Sequence, residues 1–530
     1  MFYTSFKGKY MNLKRSSGIL LHPTSLPETP GIGTIGKQAY RFIDWLKTAN
    51  QTLWQILPLG PTGYGDSPYA SFSTFAGNPL MIDLDMLAER GWAEPAAVVP
   101  PDYIKRSGPI DFGSVVWWKI PVLKAAANRF LDASSVQDRA SFEAFKNDNA
   151  AWLDNYSVFM SIKEFYDAEA QKENRFGAMW SNYWPEKLAS RDAAAVSEWH
   201  SSHVREAEVH KVIQFFFFTQ WYELKAYANE NGISIIGDIP IFVAADSADV
   251  WANQHLFQLD KSGKSLAVAG VPPDYFSATG QLWGNPLYDW DAMKKERYHW
   301  WIERIKAMNL MVDFVRIDHF RGFEAYWSVP AGEATAVNGT WKAGPDHELF
   351  EVIKKELGDI PIIAEDLGLI TEGVRKLRDD FDLPGMKILQ FAFDLNEAGK
   401  DGFVNPFLPH MYTPNCVVYT GTHDNDTMQG WLDKASDAEI KLISEYLAGP
   451  GTVLPRSALC EELVRAAIAS VAKFAVIPMQ DIFAIGSEGR INVPSTSDGK
   501  NWIWRMEPSL FDDGAARRLK ETCKLYGRNV

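Results

Sequence analysis

Cysteine is scarce in this chain, with three among 530 residues. Cys416, Cys460 and Cys523 are odd in number, lie far apart and form no CxxC pair. Neither a disulfide framework nor a zinc site is therefore expected, and the pattern predicts a reducing compartment such as the cytoplasm.

Long apolar runs are also missing. No stretch of about 18 consecutive apolar residues occurs, so the sequence predicts no membrane-spanning helix. The start of the chain has no apolar segment of the kind that a signal peptide needs. We expect residues 1–16 to form an N-terminal extension ahead of the folded part.

Positive charge is in deficit, because 53 Lys and Arg residues face 67 Asp and Glu residues. The resulting net charge of -14 repels nucleic acid and anionic membranes, so neither is an expected partner. A neutral substrate is compatible with this charge, and nothing in the sequence identifies a protein partner.

Aromatic residues are abundant, at 13% of the chain with 20 Trp. Flat ring faces suit stacking against sugar rings, although most aromatic side chains pack in the core. The four consecutive Phe residues at 215–218 stand in a helical pattern and are interpreted as packing.

Short apolar runs alternate with helical patterns along most of the chain. The runs predict strands at 18–22, 53–59, 233–242, 312–319, 361–366, 386–393, 416–424 and 476–483. Helical patterns lie between most of them, at 38–49, 206–231, 291–308, 347–357, 373–381, 437–447 and 460–471. The alternation predicts an α/β fold, a (β/α)₈ TIM barrel spanning residues 17–530, with an open doubly wound sheet as the alternative.

Three stretches interrupt the alternation. Residues 60–205 are too many for a loop, and they begin Gly/Pro/Ser-rich before turning helical. We expect a mostly helical subdomain there, inserted at the C-terminal, catalytic face of the barrel. Shorter insertions are expected at 244–290 and at 323–345.

Acidic residues end several predicted strands. They are Asp238, Asp318, the pair Glu365 and Asp366, and Asp424 beside His423. Barrel enzymes place catalytic groups at this end of the strands, and a ring of buried carboxylates is costly without a purpose. Glycosyl transfer or hydrolysis uses two carboxylates, whereas divalent-metal catalysis uses oxygen ligands. The spacing leaves both chemistries open.

The stretch 311–322, MVDFVRIDHFRG, is the most informative of these strand ends. Arg316 and Asp318 are two residues apart, so on a strand they point to the same face. A neighbouring Arg favours the ionised carboxylate, which is the state that a carboxylate nucleophile needs.

Long motifs in a fixed order carry a family resemblance. They are SGILLHPTSLP, WQILPLGPTGYGDSPY, GDIPIFVAADSADVW, PPDYFSATGQLWGNPLYDW, FVRIDHFRG, IIAEDLG, TGTHDNDT and PMQDIFAIGSEGRINVP. From about Ser17 onward the chain resembles the 4-α-glucanotransferases of glycoside hydrolase family 77, also called amylomaltases or disproportionating enzymes. The resemblance implies a barrel without the C-terminal β-sandwich of the related α-amylases.

The resemblance also implies an activity: retaining transfer of α-1,4-glucan segments between maltooligosaccharides through a covalent glycosyl-enzyme. An α-glucan hydrolase on the same barrel is the alternative, and a non-catalytic glucan-binding module is a third reading. We expect no metal and no organic cofactor, because the carboxylates all receive other roles and no CxxC or HExxH pattern is present.

The resemblance assigns roles to individual residues. It implies that Asp318 is the nucleophile, that Glu365 is the general acid/base, and that Asp424 holds sugar hydroxyls and stabilises the distorted ring. Arg316 and His423 match residues that orient the nucleophile and bind the sugar at the cleavage site. Glu365 must begin protonated, so its pKa is expected to be raised by neighbouring carboxylates and partial burial.

Further sugar contacts are implied by the same resemblance. Asp238 and Tyr69 match contacts to the sugar at the cleavage site. More peripheral binding positions are implied at Tyr64, Ser67, Gln281, Trp283, Asp366, Asp394 and Asn492. The stretch 270–290 is similar to the loop that arches over the cleft in the family, and the motif around Asn492 departs from the family where it reads GRINVPST.

Overall fold

The computed structural model describes residues 14–63, 65–273, 277–395, 405–496 and 499–529. Its centre is a sheet of eight parallel strands, here β1 to β8 in chain order. They are Ser16–Leu20, Leu53–Gln55, Ser234–Pro240, Phe314–Asp318, Ile362–Ala364, Gly385–Ile388, Cys416–Tyr419 and Phe474–Pro478.

The sheet closes on itself. Its strands are paired in the order β6-β7-β8-β1-β2-β3-β4-β5. The two ends meet where the Ala364 N–H on β5 donates to the carbonyl of Pro384, just before β6, at 2.9 Å. The (β/α)₈ barrel is therefore confirmed, and the open sheet is not found.

Both faces of the barrel strands are buried, which explains their apolar runs. One set of alternate residues fills the barrel interior, among them Leu20, Ile236, Phe314, Val417 and Phe474. The residues between them pack outward against the helices in a separate, larger cluster. Phe314, Arg316 and Asp318 are two apart along β4, so the interior face turns polar toward the C-terminal end.

Helices surround the barrel and fill the insertions. The α-helices are Lys37–Thr48, Leu84–Glu89, Phe112–Ala133, Val136–Asp148, Ala150–Lys172, Trp180–Tyr183, Glu186–Ala189, Ala193–Ser202, Val204–Glu230, Ala248–Ala252, Trp290–Lys295, His299–Met311, Asp346–Leu357, Glu372–Asp380, Leu389–Phe393, Met428–Lys434, Asp437–Ala448, Arg456–Ala469, Met479–Ile482 and Asp513–Leu525. Short 3₁₀ helices lie at Pro23–Ser25, Pro79–Met81, Gln254–Leu256, Phe320–Phe323, Pro409–Met411, Ser487–Gly489 and Pro508–Leu510.

Several predicted strands extend past the observed ones, as 53–59 and 416–424 do, and two of them end in a helix. The run 386–393 is a strand only to Ile388 and then becomes the helix Leu389–Phe393. The run 476–483 likewise leaves the sheet at Pro478 and continues as the helix Met479–Ile482. An apolar run buried as a strand cannot be told by periodicity from one buried as a short helix.

One predicted helix is in fact two. The pattern at 291–308 is broken between Trp290–Lys295 and His299–Met311. Arg297 and Tyr298 both adopt the left-handed conformation, with φ of 54° and 55°, and therefore end the first helix.

The stretch 60–205 contains the helices from Leu84–Glu89 to Ala193–Ser202, and Val204–Glu230 then leads into β3. Its status as a separate subdomain stays a prediction. The N-terminal extension predicted at 1–16 lies mostly outside the described residues.

The insertions at 244–290 and 323–345 join in a second sheet that the sequence did not predict. Its antiparallel strands lie in the order Gln281–Pro286, Ala267–Val271, Ala325–Pro330, Thr340–Ala343. Ala267–Val271 pairs with a strand more than fifty residues away, and such pairing leaves no local signal.

Downstream of β8 the described residues contain helices and turns but no strand. This agrees with the expected lack of a C-terminal β-sandwich. None of the helices in the described ranges has both the length and the apolar character needed to cross a membrane.

Candidate active site

Arg316 lies between two carboxylates at the C-terminal end of the barrel. Asp238 stands opposite Arg316 in the register of β3 and β4, so both side chains face the interior. Arg316 Nη1 donates to Asp238 Oδ2 at 2.6 Å, and Arg316 Nη2 lies 2.9 Å from Asp318 Oδ1. The guanidinium and Asp238 are buried, whereas the Asp318 side chain keeps 28% of its surface exposed. Arg316 therefore fixes the orientation of Asp318 and leaves it open to the cleft.

Tyr69 covers Asp238 from the side of the long insertion. Its hydroxyl donates to Asp238 Oδ2 at 2.8 Å, and its ring stacks on His423 with centroids 5.1 Å apart. Burial and the charge of Asp238 raise the pKa of the Tyr69 phenol, so it stays a donor. Asp238 has no exposed side-chain surface, and its Oδ1 has no hydrogen-bond partner within the described residues. In this structure Asp238 thus accepts hydrogen bonds from Arg316 and Tyr69 and holds both side chains in place.

Glu365 follows β5 directly and is 9% exposed. Its Oε2 accepts the His319 N–H at 2.7 Å, and its Oε1 accepts the Leu367 N–H at 2.8 Å. Burial and the nearby charge of Asp318 raise the pKa of Glu365 to about 8, although Arg316 and the two backbone donors oppose that rise. The surroundings of Glu365 therefore favour its protonated form.

Asp318 lies in a different environment. Partial burial and the charges of Asp238 and Asp424 raise its pKa, while Arg316 lowers it, and the balance is a pKa of about 6. Asp318 therefore loses its proton more readily than Glu365. Two carboxyl groups held in opposite protonation states have the properties of an acid and a nucleophile.

We predict a bell-shaped pH profile of kcat/KM from this pair, which titrates as a unit. If Asp318 is the nucleophile and Glu365 the acid, protonation of Asp318, with a pKa of about 6, stops the reaction at low pH, and ionisation of Glu365, with a pKa of about 8, stops it at high pH. Initial rates on maltotriose across this range measure both limbs. In Glu365→Gln, assayed with an α-glycosyl fluoride, the loss of rate at high pH (the upper limb) should vanish, and the loss of rate at low pH (the lower limb) should stay. Survival of the upper limb in that variant would contradict the assignment of the acid.

His423 and Asp424 lie in the loop that follows β7. His423 is buried, and its Nε2 lies 3.4 Å from Asp424 Oδ2. Asn492 donates through Nδ2 to Asp424 Oδ1 at 2.6 Å, and its N–H donates to the His423 carbonyl at 3.1 Å. The Asp424 side chain is 44% exposed, so it can reach a ligand in the cleft.

Trp283, on the strand Gln281–Pro286 of the second sheet, contacts a residue next to the carboxylates. Its ring meets the ring of His319 edge-on at 4.8 Å, and its Nε1 donates to Gln281 Oε1 at 3.1 Å. Trp283 is 38% exposed and lies beside His319, which directly follows Asp318 in the chain. Tyr275, an aromatic residue of the same stretch, lies outside the described residues.

The remaining predicted binding residues are less closely tied to the carboxylates. Ser67 Oγ accepts the Tyr69 N–H at 3.2 Å. Asp366 accepts the Met386 N–H at 2.7 Å and a hydrogen bond from Arg378, so its oxygens help to join β5 to β6. Asp394 directly follows the helix Leu389–Phe393, and Tyr64 lies outside the described residues. The binding roles of these four residues stay predictions.

Two buried residues of the site were not predicted. His22 follows β1, and burial together with His423 lowers its pKa to about 3. The strand-end rule that found the carboxylates could have found it, because it ends the predicted strand 18–22. Trp502 packs against Tyr69 and His423 with centroids 5.9 Å from each. It stands far beyond β8, and no local pattern indicates it.

The cation that lies between Asp238 and Asp318 is the guanidinium group of a protein side chain. Arg316 is bonded to Asp238 and Asp318, as described above. Across the described ranges, no three His, Cys, Asp or Glu side chains are grouped so that they could hold a metal ion.

Comparisons with known proteins agree with this geometry. The sequence profile of glycoside hydrolase family 77, described as 4-alpha-glucanotransferase, matches residues 21–510. The 4-alpha-glucanotransferase of Thermus thermophilus is 47% identical over 513 residues, which cover 96% of this chain and 98% of that protein. The 4-alpha-glucanotransferase of Synechocystis is 46% identical over 527 residues, with 98% and 99% covered. The structure of the amylomaltase from Streptococcus agalactiae in complex with acarbose superposes with a TM-score of 0.90 at 38% identity, covering 97% of this chain and 100% of that one. The chain belongs to the 4-α-glucanotransferases of glycoside hydrolase family 77.

Proposed function

We propose that the protein is a retaining 4-α-glucanotransferase that moves α-1,4-glucan segments between maltooligosaccharides through a covalent glycosyl-enzyme. The observation that carries this proposal is a pair of carboxyl groups in unlike surroundings: Asp318 is partly exposed and held by Arg316, whereas Glu365 is buried and accepts two backbone N–H groups. Retaining glycosidases use such a pair on the two sides of the scissile bond.

In the first half-reaction Glu365 donates its proton to the glycosidic oxygen while Asp318 attacks the anomeric carbon. The bond from that carbon to the glycosidic oxygen breaks, and an ester bond to Asp318 forms. The departing glucan leaves with a free 4-hydroxyl. Arg316 keeps Asp318 ionised and aimed, and no proton has to move before attack.

A sugar at the cleavage site would lie among Tyr69, His423 and Asp424. The stacked rings of Tyr69 and His423 supply a flat wall, and Asp424, held by Asn492, offers a carboxylate to sugar hydroxyls. Hydrogen bonds to an ionised carboxylate are among the stronger ones, so Asp424 can favour a distorted sugar ring in the transition state. Direct contact between Asp238 and the sugar stays a prediction, because that side chain is covered here.

In the second half-reaction Glu365 acts as a base and takes the proton of the incoming hydroxyl. A sugar 4-hydroxyl competes with water for the glycosyl-enzyme, and it wins when binding gives it a large effective molarity. Well-oriented groups reach about 10⁵–10⁸ M, which exceeds the concentration of water. The second sheet, with Trp283 beside His319, provides a wall on which an acceptor sugar can be held.

The experiment that tests this function is incubation with maltotriose and separation of the products. We expect glucose and a ladder of longer α-1,4 glucans. The hydrolase reading, which the family does not favour, predicts only products shorter than the substrate. Such an outcome, with no longer glucan at any time, would replace transfer by hydrolysis.

Trp283→Ala should shift the balance from transfer toward hydrolysis. The exposed ring lies beside the His319 ring, and its removal opens the glycosyl-enzyme to water and takes away an acceptor surface. The ratio of reducing ends to free glucose, followed over time, measures the shift. Leu282→Ala is the matched control, because Leu282 is 37% exposed on the same strand and its side chain points to the other face. An unchanged ratio in Trp283→Ala would remove Trp283 from this role and leave the carboxylates untouched.

Activity should be insensitive to metal chelation. The Arg316 guanidinium supplies positive charge between Asp238 and Asp318. Dialysis against EDTA followed by a maltotriose assay checks this expectation. Loss of transfer with recovery on adding a divalent ion would restore the metal-dependent alternative.

We also propose a cytoplasmic location. Cys416, Cys460 and Cys523 are all buried free thiols, and burial raises the pKa of Cys416 to about 12. Such thiols are compatible with a reducing compartment.

A further inference from the structure

The loop 420–428 connects β7 to the helix Met428–Lys434 and carries His423 and Asp424. Both of its ends are held by one side chain. The Thr420 hydroxyl donates to Asp481 Oδ2, and the Met428 N–H donates to Asp481 Oδ1 at 2.8 Å. Asp481 is 2% exposed and lies on the short helix that follows β8. A single buried carboxylate thus joins the start of the loop to its end.

The middle of the same loop is held by a residue nine positions downstream of Asp481. Arg490 Nη2 donates to the Asp424 carbonyl at 2.8 Å, and Arg490 Nε donates to the Asn492 carbonyl at 2.8 Å. Asn492 in turn bonds the Asp424 side chain. The segment 479–492 therefore contacts the loop at its start, at its sugar-facing carboxylate and at its end.

Burial of Asp481 needs a reason. A buried carboxylate is unfavourable unless hydrogen bonds compensate for its lost hydration, and here both donors belong to the loop. No group of Asp481 is exposed to the cleft, so it cannot touch a substrate. The bonds it makes fix where the loop leaves β7 and where it enters the helix, and therefore where His423 and Asp424 point.

We propose that Asp481 is a positioning residue for the reaction, which acts by holding the loop 420–428 so that His423 and Asp424 meet the sugar. The proposal rests on the proposed function, in which these two residues bind the sugar at the cleavage site. Asp481 belongs to the motif PMQDIFAIGSEGRINVP, in which the family resemblance gave a role only to Asn492. Arg490 supports the same loop from its middle.

The test compares Asp481→Ala with Asp481→Asn in the full-length protein. Alanine leaves the Thr420 hydroxyl and the Met428 N–H without their acceptor. Asparagine can accept from Met428 through its oxygen and donate to Thr420 through its nitrogen, because a hydroxyl can act in either direction. We expect kcat/KM on maltotriose to fall about 10²-fold in Asp481→Ala, as a displaced catalytic geometry can cause. Asp481→Asn should stay close to wild type.

Asp313→Ala is the matched control for a purely structural effect. Asp313 is also a buried carboxylate that accepts a backbone N–H, from Ile235 at 2.8 Å, but it precedes β4 at the opposite end of the barrel. Rates are measured well below the Tm of each variant, and the Tm itself reports stability. Asp313→Ala should lose stability while its kcat/KM stays near wild type.

Two results would overturn the proposal: an Asp481→Ala rate no lower than that of Asp313→Ala, or an Asp481→Asn enzyme as slow as Asp481→Ala. If Asp481→Ala does not fold, Thr420→Val takes its place, because it removes the bond between Asp481 and the start of the loop at nearly constant side-chain volume. A wild-type kcat/KM in Thr420→Val would then overturn the proposal. Failure of the proposed function is distinguishable, since it would show as absence of transfer products from the wild-type protein itself.

Discussion

Asp318→Asn should reduce both transfer and hydrolysis by at least about 10⁴-fold, which is the scale of loss when a catalytic nucleophile is removed. The amide that replaces the carboxylate cannot attack the anomeric carbon. Asparagine has nearly the same shape, and Arg316 can still donate to its oxygen, so the fold should be retained. Glucose release from maltotriose, with Tm as the measure of folding, checks the prediction.

Asp313→Asn is the control for this variant, because it makes the same chemical change just before the same strand, at the other end of the barrel. It should keep transfer near the wild-type rate. Transfer by Asp318→Asn at more than a few per cent of wild type, in protein free of contaminating enzyme, would refute the nucleophile assignment.

Glu365→Gln should lose about 10²–10⁴-fold of its activity on glucans, the range that general acid catalysis supplies. A glucan leaving group needs a proton from Glu365, whereas fluoride leaves without one. The variant should therefore still react with an α-glycosyl fluoride and form the glycosyl-enzyme. Because the base for the second half-reaction is also missing, the intermediate should accumulate.

The losses of activity on maltotriose and on the glycosyl fluoride, compared in the same variant, show whether Glu365 is the acid. Equal losses on maltotriose and on the glycosyl fluoride would mean that Glu365 acts in binding or in folding and not as the acid. Normal cleavage of maltodextrins by the variant would exclude it from catalysis altogether. Asp366→Asn, one residue further on, tests whether loss of any carboxylate at this strand end has the same effect, and it should not separate the two donors.

The barrel could be predicted from sequence because its strands are buried on both faces. Continuous apolar runs at β1, β3, β4 and β7 are a strong local signal, and the polar residues that follow them mark the catalytic end. At β6 and β8 the same signal finds the strand but misplaces its C-terminal end. There the apolar run continues past the strand into a short helix, and burial alone decides the backbone conformation.

Part of the site could be predicted in the same way. The pairing of Arg316 with Asp318 follows from two-residue spacing on one strand, and the structure places them 2.9 Å apart. The local sequence does not predict contacts with residues from other segments of the chain. Asp238 meets Arg316 through the register of two strands, and Tyr69 reaches Asp238 across 169 residues of chain. Trp502 joins Tyr69 and His423 from beyond β8, where nothing in the local sequence marks it.

Peptide mapping of the trapped intermediate shows whether Asp318 is the residue that attacks the sugar. Glu365→Gln is incubated with an α-glycosyl fluoride, quenched and digested, and the modified peptide is identified by mass spectrometry. We expect one added glycosyl group on the peptide that contains Asp318, with none formed in Glu365→Gln/Asp318→Asn. A glycosyl group on Asp424 or Asp238, or turnover of the fluoride with no covalent adduct at any time, would contradict it.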